Sequence, residues 1–483
     1  MNQLKKYFIA GIISGTLLIL SYSQLFSWLI FIFSIPLIYT INTTTSTKSQ
    51  IVSNFSVFSL IWNLFNYQFL FYFKDDYLNW IAPLGIILYA LFTIIPFLFF
   101  LTKLKNKLLL FACCWIIIEQ LFLHWPLKSP FSSLGIILGN YPKLIQWYQF
   151  TGIFGGSAWI LLVNILLYLC LKKFMYAQTE IKRALLYTII SILLPMGISL
   201  GLSIQKQNDN SVSVRVFSFD NQTNREALIE KIFSKYQNDS ITPSDYTVFP
   251  ELIIHLQNQP PEKDATINKL QNIITNRKAN ENLVLGANLE AWRNQQILAV
   301  SLNNDTIQKR YKSILVPFGE KLPFQDKLKE LGIFKKYNPT PYLTPNTNNR
   351  LFVNKKDTFH VSLCYESFFE NHLKTQINSS TDFILIVARE PFLYNTHFKN
   401  ITKLITKIQA ITFQKSIARS SWCGVSCIMN NQGETLKSTY NTNIILEDRL
   451  PIKKSSTFFN RCKINLLFVA TIILFIAGIF IRN

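Results

Sequence analysis

The pattern of apolar and polar positions changes near residue 205. Before that point the apolar residues form long runs, and a helix needs roughly 20 of them to cross the hydrocarbon core of a membrane. Runs long enough to span, or nearly so, lie at 7–20, 26–41, 51–73, 80–102, 108–123, 153–171 and 184–204, and another closes the chain at 465–481. The pattern therefore predicts a polytopic α-helical membrane domain of about eight spans.

Residues 205–464 have a different texture, in which short apolar segments alternate with amphipathic ones. Strands are predicted at 213–219, 246–249, 283–289, 297–303, 359–365, 383–388 and 424–430, and helices at 224–238, 262–279 and 398–418. Strands separated by helices, with additions that look antiparallel, indicate an α/β domain of roughly 250 residues built as a two-layered sandwich. The predicted domains are 1–204, 205–464 and 465–483.

Lysine and arginine collect in alternate short loops between the apolar runs. The residues concerned are Lys5, Lys6, Lys48, Lys103, Lys105, Lys107, Lys172, Lys173, Lys182 and Arg183. Because cytoplasmic loops carry an excess of these residues, seven crossings from a cytoplasmic start place residues 205–464 outside. Lys453, Lys454, Arg461 and Lys463 argue the other way, but charges that follow a long translocated domain weigh less.

The composition is typical of a membrane protein and argues against a soluble, nucleic-acid-binding or zinc-binding protein. Hydrophobic residues make up 49% of the 483-residue chain and charged residues only 16%, which is too apolar for a soluble protein of this size. The net charge is +21, yet no basic stripe interleaved with exposed aromatic residues is visible, so no nucleic-acid partner is predicted. The seven cysteines form no Cys-x-x-Cys pair and no zinc spacing, and neither a metal nor another cofactor is predicted.

Three polar stretches stand at strand ends, where α/β proteins build their sites. VFPELII carries Glu251, RYKSILVPFGEKLPF carries Lys312 and Glu320, and LCYESFF carries Cys364. Each residue taken alone has a structural alternative: a carboxylate at a helix start, a surface lysine, a turn residue and a small core cysteine, respectively. Together they supply a base, a cation and a thiol.

The chemistry of this trio is that of acyl transfer through cysteine. A thiol with an ordinary pKa near ~8.5 is mostly protonated at neutral pH, so the carboxylate of Glu251 can accept its proton as attack begins. The ammonium of Lys312 and the backbone N–H of Tyr365 can stabilise the tetrahedral oxyanion. We expect Glu320 and Glu366 to hold Lys312 charged and in place.

One residue in the apolar half also stands out, because an ionisable group at membrane depth is costly. Glu119 lies in the run CWIIIEQLF. It has either a partner and a role inside the membrane, or an interfacial position close to His124. The sequence favours neither alternative.

The combined motifs resemble a known family. FPE at Glu251, the YK-x-x-LVPFGE block at Lys312 and CYE at Cys364 resemble the nitrilase superfamily. The LVPFGE form and the polytopic membrane half are similar to its membrane-bound branch, the apolipoprotein N-acyltransferase family. The resemblance extends to W-x-x-x-E at Trp115 and Glu119.

The resemblance implies an outward nitrilase-like α-β-β-α sandwich domain in a multi-pass protein of the bacterial inner membrane, facing the periplasm. It implies Glu251 as general base, Lys312 as oxyanion stabiliser and Cys364 as nucleophile, with Glu320, Tyr365 and Glu366 in support. By this analogy Cys364 takes an acyl chain from a phospholipid as a thioester. The chain then passes to the α-amine of a diacylglyceryl-cysteine on an apolipoprotein, in a ping-pong sequence.

One segment departs from the family pattern. Where the family has an SND-x-WF-like stretch, this chain has AREPFLYN, so the substrate-binding residues implied here are Arg389, Glu390, Phe392 and Leu393. Two alternatives stay open. A membrane-anchored carbon–nitrogen hydrolase or amidase would use the same trio with water as acceptor, and a non-catalytic relative would bind lipid or lipoprotein.

Overall fold

The computed structural model of the chain divides into two compact units. The first comprises Met1–Trp125, Ser129–Gln205 and Cys462–Asn483, and the second comprises Pro126–Lys128 and Lys206–Arg461. The residues described are 2–43, 46–72, 78–98, 106–176, 180–204, 210–220, 224, 227–230, 232, 234, 242–276, 281–291, 294–317, 319–321, 323–324, 327, 330, 345, 350–390, 396–440 and 443–480.

The first unit is helical. Its α-helices are α1 Asn2–Ser21, α2 Ile35–Asn42, α3 Lys48–Tyr67, α4 Leu78–Leu98, α5 Lys107–His124, α6 Tyr148–Thr151, α7 Ile153–Met175 and α8 Ile181–Ser203, followed at the chain end by Leu466–Phe480. Short 3₁₀ helices lie at Gln24–Phe31, Gln68–Tyr72, Leu134–Asn140 and Pro142–Leu144. Within the described residues, each apolar run predicted from the sequence lies mainly on helical structure.

Four helical segments in the described part of the chain are long and apolar enough to cross a membrane. They are Gln24–Asn42, Lys107–His124, Ile153–Met175 and Ile181–Ser203, and shorter apolar helices lie at Phe8–Ser21, Pro83–Ile94 and Leu466–Phe480. Helix α3 is more polar because it buries asparagines such as Asn54, whose Oδ1 accepts a hydrogen bond from the Gly11 N–H at 3.0 Å. Eight crossings, and the outward placement of the second unit, stay predictions.

The second unit contains two β-sheets. Its strands are β1 Ser211–Ser218, β2 Tyr246–Val248, β3 Ile254–Gln257, β4 Asn282–Ala291, β5 Asn294–Leu302, β6 Ile307–Tyr311, β7 Phe352–Val353, β8 Thr358–Leu363, β9 Phe383–Arg389, β10 Ser416–Trp422, β11 Ser426–Met429, β12 Thr435–Thr439 and β13 Ile444–Pro451. The first sheet has the order β13-β1-β2-β4-β5-β6, with β3 also paired to β4, and the second has the order β12-β11-β10-β9-β8-β7. Each sheet has a parallel centre, β1-β2-β4 in the first and β8-β9-β10 in the second, flanked by antiparallel strands.

Three apolar clusters show how these elements are layered. Val216 of β1 and Val361 of β8 share the cluster between the two sheets. Ile267, from the helix Ala265–Asn276, packs on the other face of the first sheet. Phe413, from the helix Thr396–Phe413, packs on the other face of the second sheet. The unit is therefore the four-layered α-β-β-α sandwich that the resemblance implied.

One predicted helix is wrong at its end. The expected helix at 398–418 stops at Phe413, because Gln414 has a left-handed backbone with φ of 51°. Residues Ser416–Trp422 then form β10, parallel to β9. Every residue of this strand is buried, and its sequence SIARSSW lacks the regular alternation of apolar and polar positions that identifies a strand. The predicted helix at 224–238 lies largely outside the described residues.

Candidate active site

The three predicted catalytic residues stand just beyond the ends of three strands. Glu251 follows β2, Lys312 follows β6 and Cys364 follows β8. Their side chains are buried, with exposed fractions of 2%, 1% and 3%. The structure brings all three together, because Lys312 contacts Glu251 directly and the Cys364 thiol lies close enough to both charged groups for them to affect its pKa.

Backbone contacts with the neighbouring strand fix the segment that carries Glu251. The Phe249 N–H donates to the Val284 carbonyl at 2.8 Å, and the Gly286 N–H donates to the Pro250 carbonyl at 3.1 Å. A Cβ atom on Gly286 would collide with the Glu251 Cα, so only glycine permits this approach. These contacts place the carboxylate at the edge of the parallel strands.

Lys312 connects two carboxylates. Its Nζ donates to Glu251 Oε1 at 2.9 Å and to Glu320 Oε1 at 2.6 Å. The second oxygen of Glu320 accepts the Val316 N–H at 2.9 Å, which orients that carboxylate within its own loop. Glu320 therefore lies where the predicted supporting role requires it.

Cys364 sits at a strained strand-to-turn junction. Its φ is 46°, in the left-handed region that non-glycine residues adopt at a cost of ~1–2 kcal/mol. The 3₁₀ turn Cys364–Phe368 begins at this residue. Its Sγ contacts the Arg389 carbonyl at 3.4 Å, and the Ser367 hydroxyl donates to the Cys364 carbonyl at 2.6 Å. Such strain is typical of functional sites, where the surrounding contacts hold the unusual backbone.

The buried charges set the protonation of the resting site. Burial raises the pKa of the Cys364 thiol well above its ordinary value, and the Glu251 carboxylate raises it further, so the resting group is a thiol. Burial also raises the pKa of Glu251 to about 7, against the opposing effect of the Lys312 ammonium. Burial alone would lower the pKa of Lys312, but Glu251 and Glu320 raise it well above its ordinary value, so Lys312 is cationic. This arrangement combines a neutral thiol, a carboxyl group whose pKa is near neutral and a fixed cation.

The expected contact between Glu366 and Lys312 is wrong. Glu366 is fully buried and pairs with Arg310 through its Oε1, which also accepts the Leu363 N–H at 2.9 Å. Its Oε2 accepts the Ser313 N–H at 2.9 Å. Glu366 therefore braces the Cys364 turn against the end of β6, and its described hydrogen bonds do not include Lys312.

The remaining predicted residues take different positions. The Tyr365 hydroxyl donates to the Lys128 carbonyl at 2.6 Å, so this side chain anchors the turn to the segment Pro126–Lys128. Arg389 offers its carbonyl to the thiol, as described above. Glu390 is only 1% exposed and pairs with a buried arginine, which does not fit the substrate contact expected for it. Phe392 and Leu393 lie outside the described residues.

Three buried side chains near the site were not predicted from the sequence: Arg310, Arg419 and Trp422. A signal existed for Arg310, because it precedes Lys312 by two positions and residues at that spacing share one face of a strand. Arg419 lies on β10, a strand that the sequence did not predict and whose first residues it assigned to a helix. The Trp422 Nε1 donates to the Glu251 carbonyl at 2.8 Å, a long-range contact that local pattern does not encode.

Glu119 is a buried carboxylate of the helical unit, 2% exposed. It accepts hydrogen bonds from Trp115 Nε1 at 3.0 Å, from the Ser133 hydroxyl at 2.9 Å and from the Leu134 N–H at 2.9 Å. His124 instead contacts the Gln120 carbonyl through Nδ1. Glu119 thus has internal partners, as the first of the two sequence alternatives requires.

Among the described residues, no group of three or more His, Cys, Asp or Glu side chains is arranged to hold a metal ion.

Comparison with known proteins gives consistent matches. A family model described as the apolipoprotein N-acyltransferase N-terminal domain matches residues 14–166. The apolipoprotein N-acyltransferase of Rickettsia prowazekii is 23% identical over 356 residues, which cover 70% of this chain and 69% of the relative. That of Vibrio cholerae serotype O1 is 24% identical over 162 residues, covering 32% of this chain and 31% of the relative, so this match spans about a third of the relative's length.

Among solved structures, Saccharomyces cerevisiae Nit3, a member of the nitrilase superfamily, superposes with a TM-score of 0.40. It is 14% identical, and the match covers 51% of this chain and 92% of that chain.

Proposed function

We propose that this chain transfers a fatty acyl chain from a phospholipid to a diacylated apolipoprotein. Its similarity to the apolipoprotein N-acyltransferases supports the proposal. The observation that carries the proposal is the buried set of Glu251, Lys312 and Cys364. Lys312 lies 2.9 Å from the Glu251 carboxylate, beside a protonated thiol at a strained turn.

In the first half-reaction the Cys364 Sγ attacks the ester carbonyl of the phospholipid, and the thiol proton passes to Glu251. The oxyanion is stabilised by the Lys312 ammonium and by the Tyr365 N–H in the Cys364 turn. When the tetrahedral intermediate collapses, the C–O bond breaks and the departing lysophospholipid alkoxide takes the proton back from Glu251. A thioester on Cys364 remains.

In the second half-reaction the α-amine of the diacylglyceryl-cysteine attacks the thioester carbonyl. Glu251 accepts the amine proton, and Lys312 again faces the oxyanion. Collapse breaks the C–S bond, forms the amide and returns the proton to the Cys364 sulphur. Because both halves use the same carboxylate and cation, one set of residues serves a ping-pong sequence.

The setting proposed for this reaction is the bacterial inner membrane. The four apolar helices support a membrane location, and the lysine-rich loops favour a cytoplasmic start that places the catalytic unit on the periplasmic side. Both lipid substrates would then reach the thiol from the outer leaflet.

Mass spectrometry tests the thioester directly. We expect purified protein incubated with phospholipid to carry an acyl adduct on the peptide that contains Cys364, and Cys364→Ala to carry none there. Absence of the adduct from the native protein, or equal acylation of the variant elsewhere, would contradict the thioester mechanism. Cys462→Ala is the matched control, since Cys462 lies outside the sandwich unit.

The acceptor is tested by adding a diacylated lipopeptide. Triacylated peptide supports the transferase, whereas release of free fatty acid without triacylated product would favour the hydrolase that uses water as acceptor. Binding of the lipopeptide with neither product would favour the non-catalytic relative.

A further inference from the structure

A buried arginine outside the catalytic trio reaches the turn that carries Cys364. Arg419, in β10, is 0% exposed, and its Nη1 donates to the Ser367 hydroxyl at 3.3 Å. That hydroxyl donates to the Cys364 carbonyl at 2.6 Å. The guanidinium also lies over the Phe368 ring, 5.4 Å from its centroid. Arg419 therefore contacts the last two residues of the Cys364–Phe368 turn.

The charge of Arg419 is neutralised by Glu390. Its Nη2 donates to Glu390 Oε1, and the Ser421 hydroxyl donates to Glu390 Oε2 at 2.9 Å. The Glu390 N–H donates to the Trp422 carbonyl at 3.0 Å, and the Trp422 indole donates to the Glu251 carbonyl at 2.8 Å. One network thus joins the turn of the nucleophile to the segment of the base.

We propose that Arg419 is a positioning residue for Cys364, which it holds through Ser367 while Glu390 neutralises its charge. This inference rests on the proposed acyl transfer and assigns Glu390 to the support of the nucleophile in place of substrate binding. A buried ion pair is weak evidence for stability by itself, but these hydrogen bonds converge on one strained turn. The turn presents both the Sγ and the Tyr365 N–H, so a shift of about 1 Å would cost on the order of 10²-fold in rate.

The first experiment compares two buried arginines of the same unit. Arg215, in β1, is 1% exposed and pairs with Glu447 at 2.5 Å, and none of its described contacts involves the Cys364 turn. With phospholipid and diacylated lipopeptide as substrates, we expect Arg419→Met to lower kcat per folded molecule at least tenfold, with KM within twofold of native. Arg215→Met should keep native kcat per folded molecule. Equal falls in the two variants would overturn the proposal.

The second experiment needs no acyl transfer, so it distinguishes this inference from the proposed function. Alkylation of Cys364 by iodoacetamide is followed by peptide mass spectrometry across pH. The charged groups that act on the thiol are Glu251, Lys312, Glu320 and Glu390. Arg419→Met leaves Glu390 uncompensated and should move the alkylation profile to higher pH, whereas Glu390→Gln should move it to lower pH. Unmoved profiles in both variants would overturn the proposal.

Ser367→Ala keeps the ion pair intact and removes only the link to the Cys364 carbonyl, so it serves if Arg419→Met fails to fold. We expect kcat to fall severalfold, less than in Arg419→Met, and we expect the alkylation profile to stay at its native pH. Arg419→Lys should recover the native alkylation profile while recovering only part of kcat, because lysine restores the charge without the planar donor pair. Full native kcat in Ser367→Ala would overturn the proposal that Arg419 holds the Cys364 turn through Ser367.

Discussion

Two buried cations stand two residues apart at the end of β6, and each holds a glutamate from a different segment. Arg310 pairs with Glu366, and Lys312 pairs with Glu251. Both glutamates are almost completely buried, with exposed fractions of 0% and 2%. Burial is therefore equal in the two pairs, and any difference in their chemistry comes from the partners.

The pKa values of the two carboxylates are nevertheless shifted in opposite directions. Burial would raise the pKa of Glu366, but the Arg310 guanidinium and His372 hold it well below its usual range. Glu251 shares its cation with Glu320, and burial keeps its pKa at about 7. A buried glutamate whose oxygens are occupied by a guanidinium and backbone N–H groups is a fixed brace, whereas one that shares a lysine beside a thiol can exchange a proton.

The largest expected effect comes from removing the exchangeable proton. Glu251→Gln keeps the shape of the side chain and leaves Lys312 paired with Glu320, so the fold should survive. The rate of acyl transfer should fall by roughly 10²–10⁴-fold, the usual contribution of a general base. The measurement is single-turnover acylation of Cys364, with the exposed Glu290→Gln as the matched control. A rate within tenfold of native would remove Glu251 from the chemistry.

The corresponding substitution of Glu366 should lower the stability of the fold instead of the rate of the reaction. Glu366→Gln leaves Arg310 buried without its counter-charge, which costs about 3–5 kcal/mol. The midpoint of thermal unfolding in detergent should fall by roughly 10 °C. A native midpoint combined with lost activity would assign Glu366 to the reaction and break the distinction between the two pairs.

The acid limb of the pH profile should belong to Glu251 alone. Because Glu251 must be ionised to accept the proton, kcat/KM should rise about tenfold per pH unit below pH 7 and level off above it. Glu366 has a lowered pKa, so its contribution to stability is present above its unfolded pKa near ~4.3 and is lost only as pH falls below that value. A profile that is flat from pH 5 to 8, with the protein still folded, would contradict this assignment.

The sequence predicted these two pairs unequally well. Glu251 and Cys364 were accessible because each follows an apolar strand, a local signal, whereas Lys312 follows the mostly polar β6 and was indicated only by its sequence motif. The pairing of Glu366 with Arg310 was not predicted, because Arg310 and Lys312 are two positions apart and so face the same side of the chain. Only the packing of β6 against β8 decides which of the two cations reaches Glu366. Glu390 was missed for the same reason: its partner Arg419 lies on β10, and the sequence assigned part of that strand to a helix. Pairing between distant segments is a tertiary property that strand periodicity does not encode.

Substitution of Glu119 should have the smallest effect, and it tests whether a buried glutamate without a cationic partner behaves differently from Glu251 and Glu366. Its described hydrogen bonds come from neutral donors, Trp115, Ser133 and the Leu134 N–H, so Glu119→Gln leaves no buried cation without a counter-charge. Because an amide retains one acceptor oxygen, the loss should be about 1–2 kcal/mol, or a few degrees in the unfolding midpoint. Acylation of Cys364 per folded molecule should be unchanged. A fall in that rate with an unchanged midpoint would show that a buried glutamate without a cationic partner also acts in the reaction, and the partner rule drawn from Arg310 and Lys312 would fail.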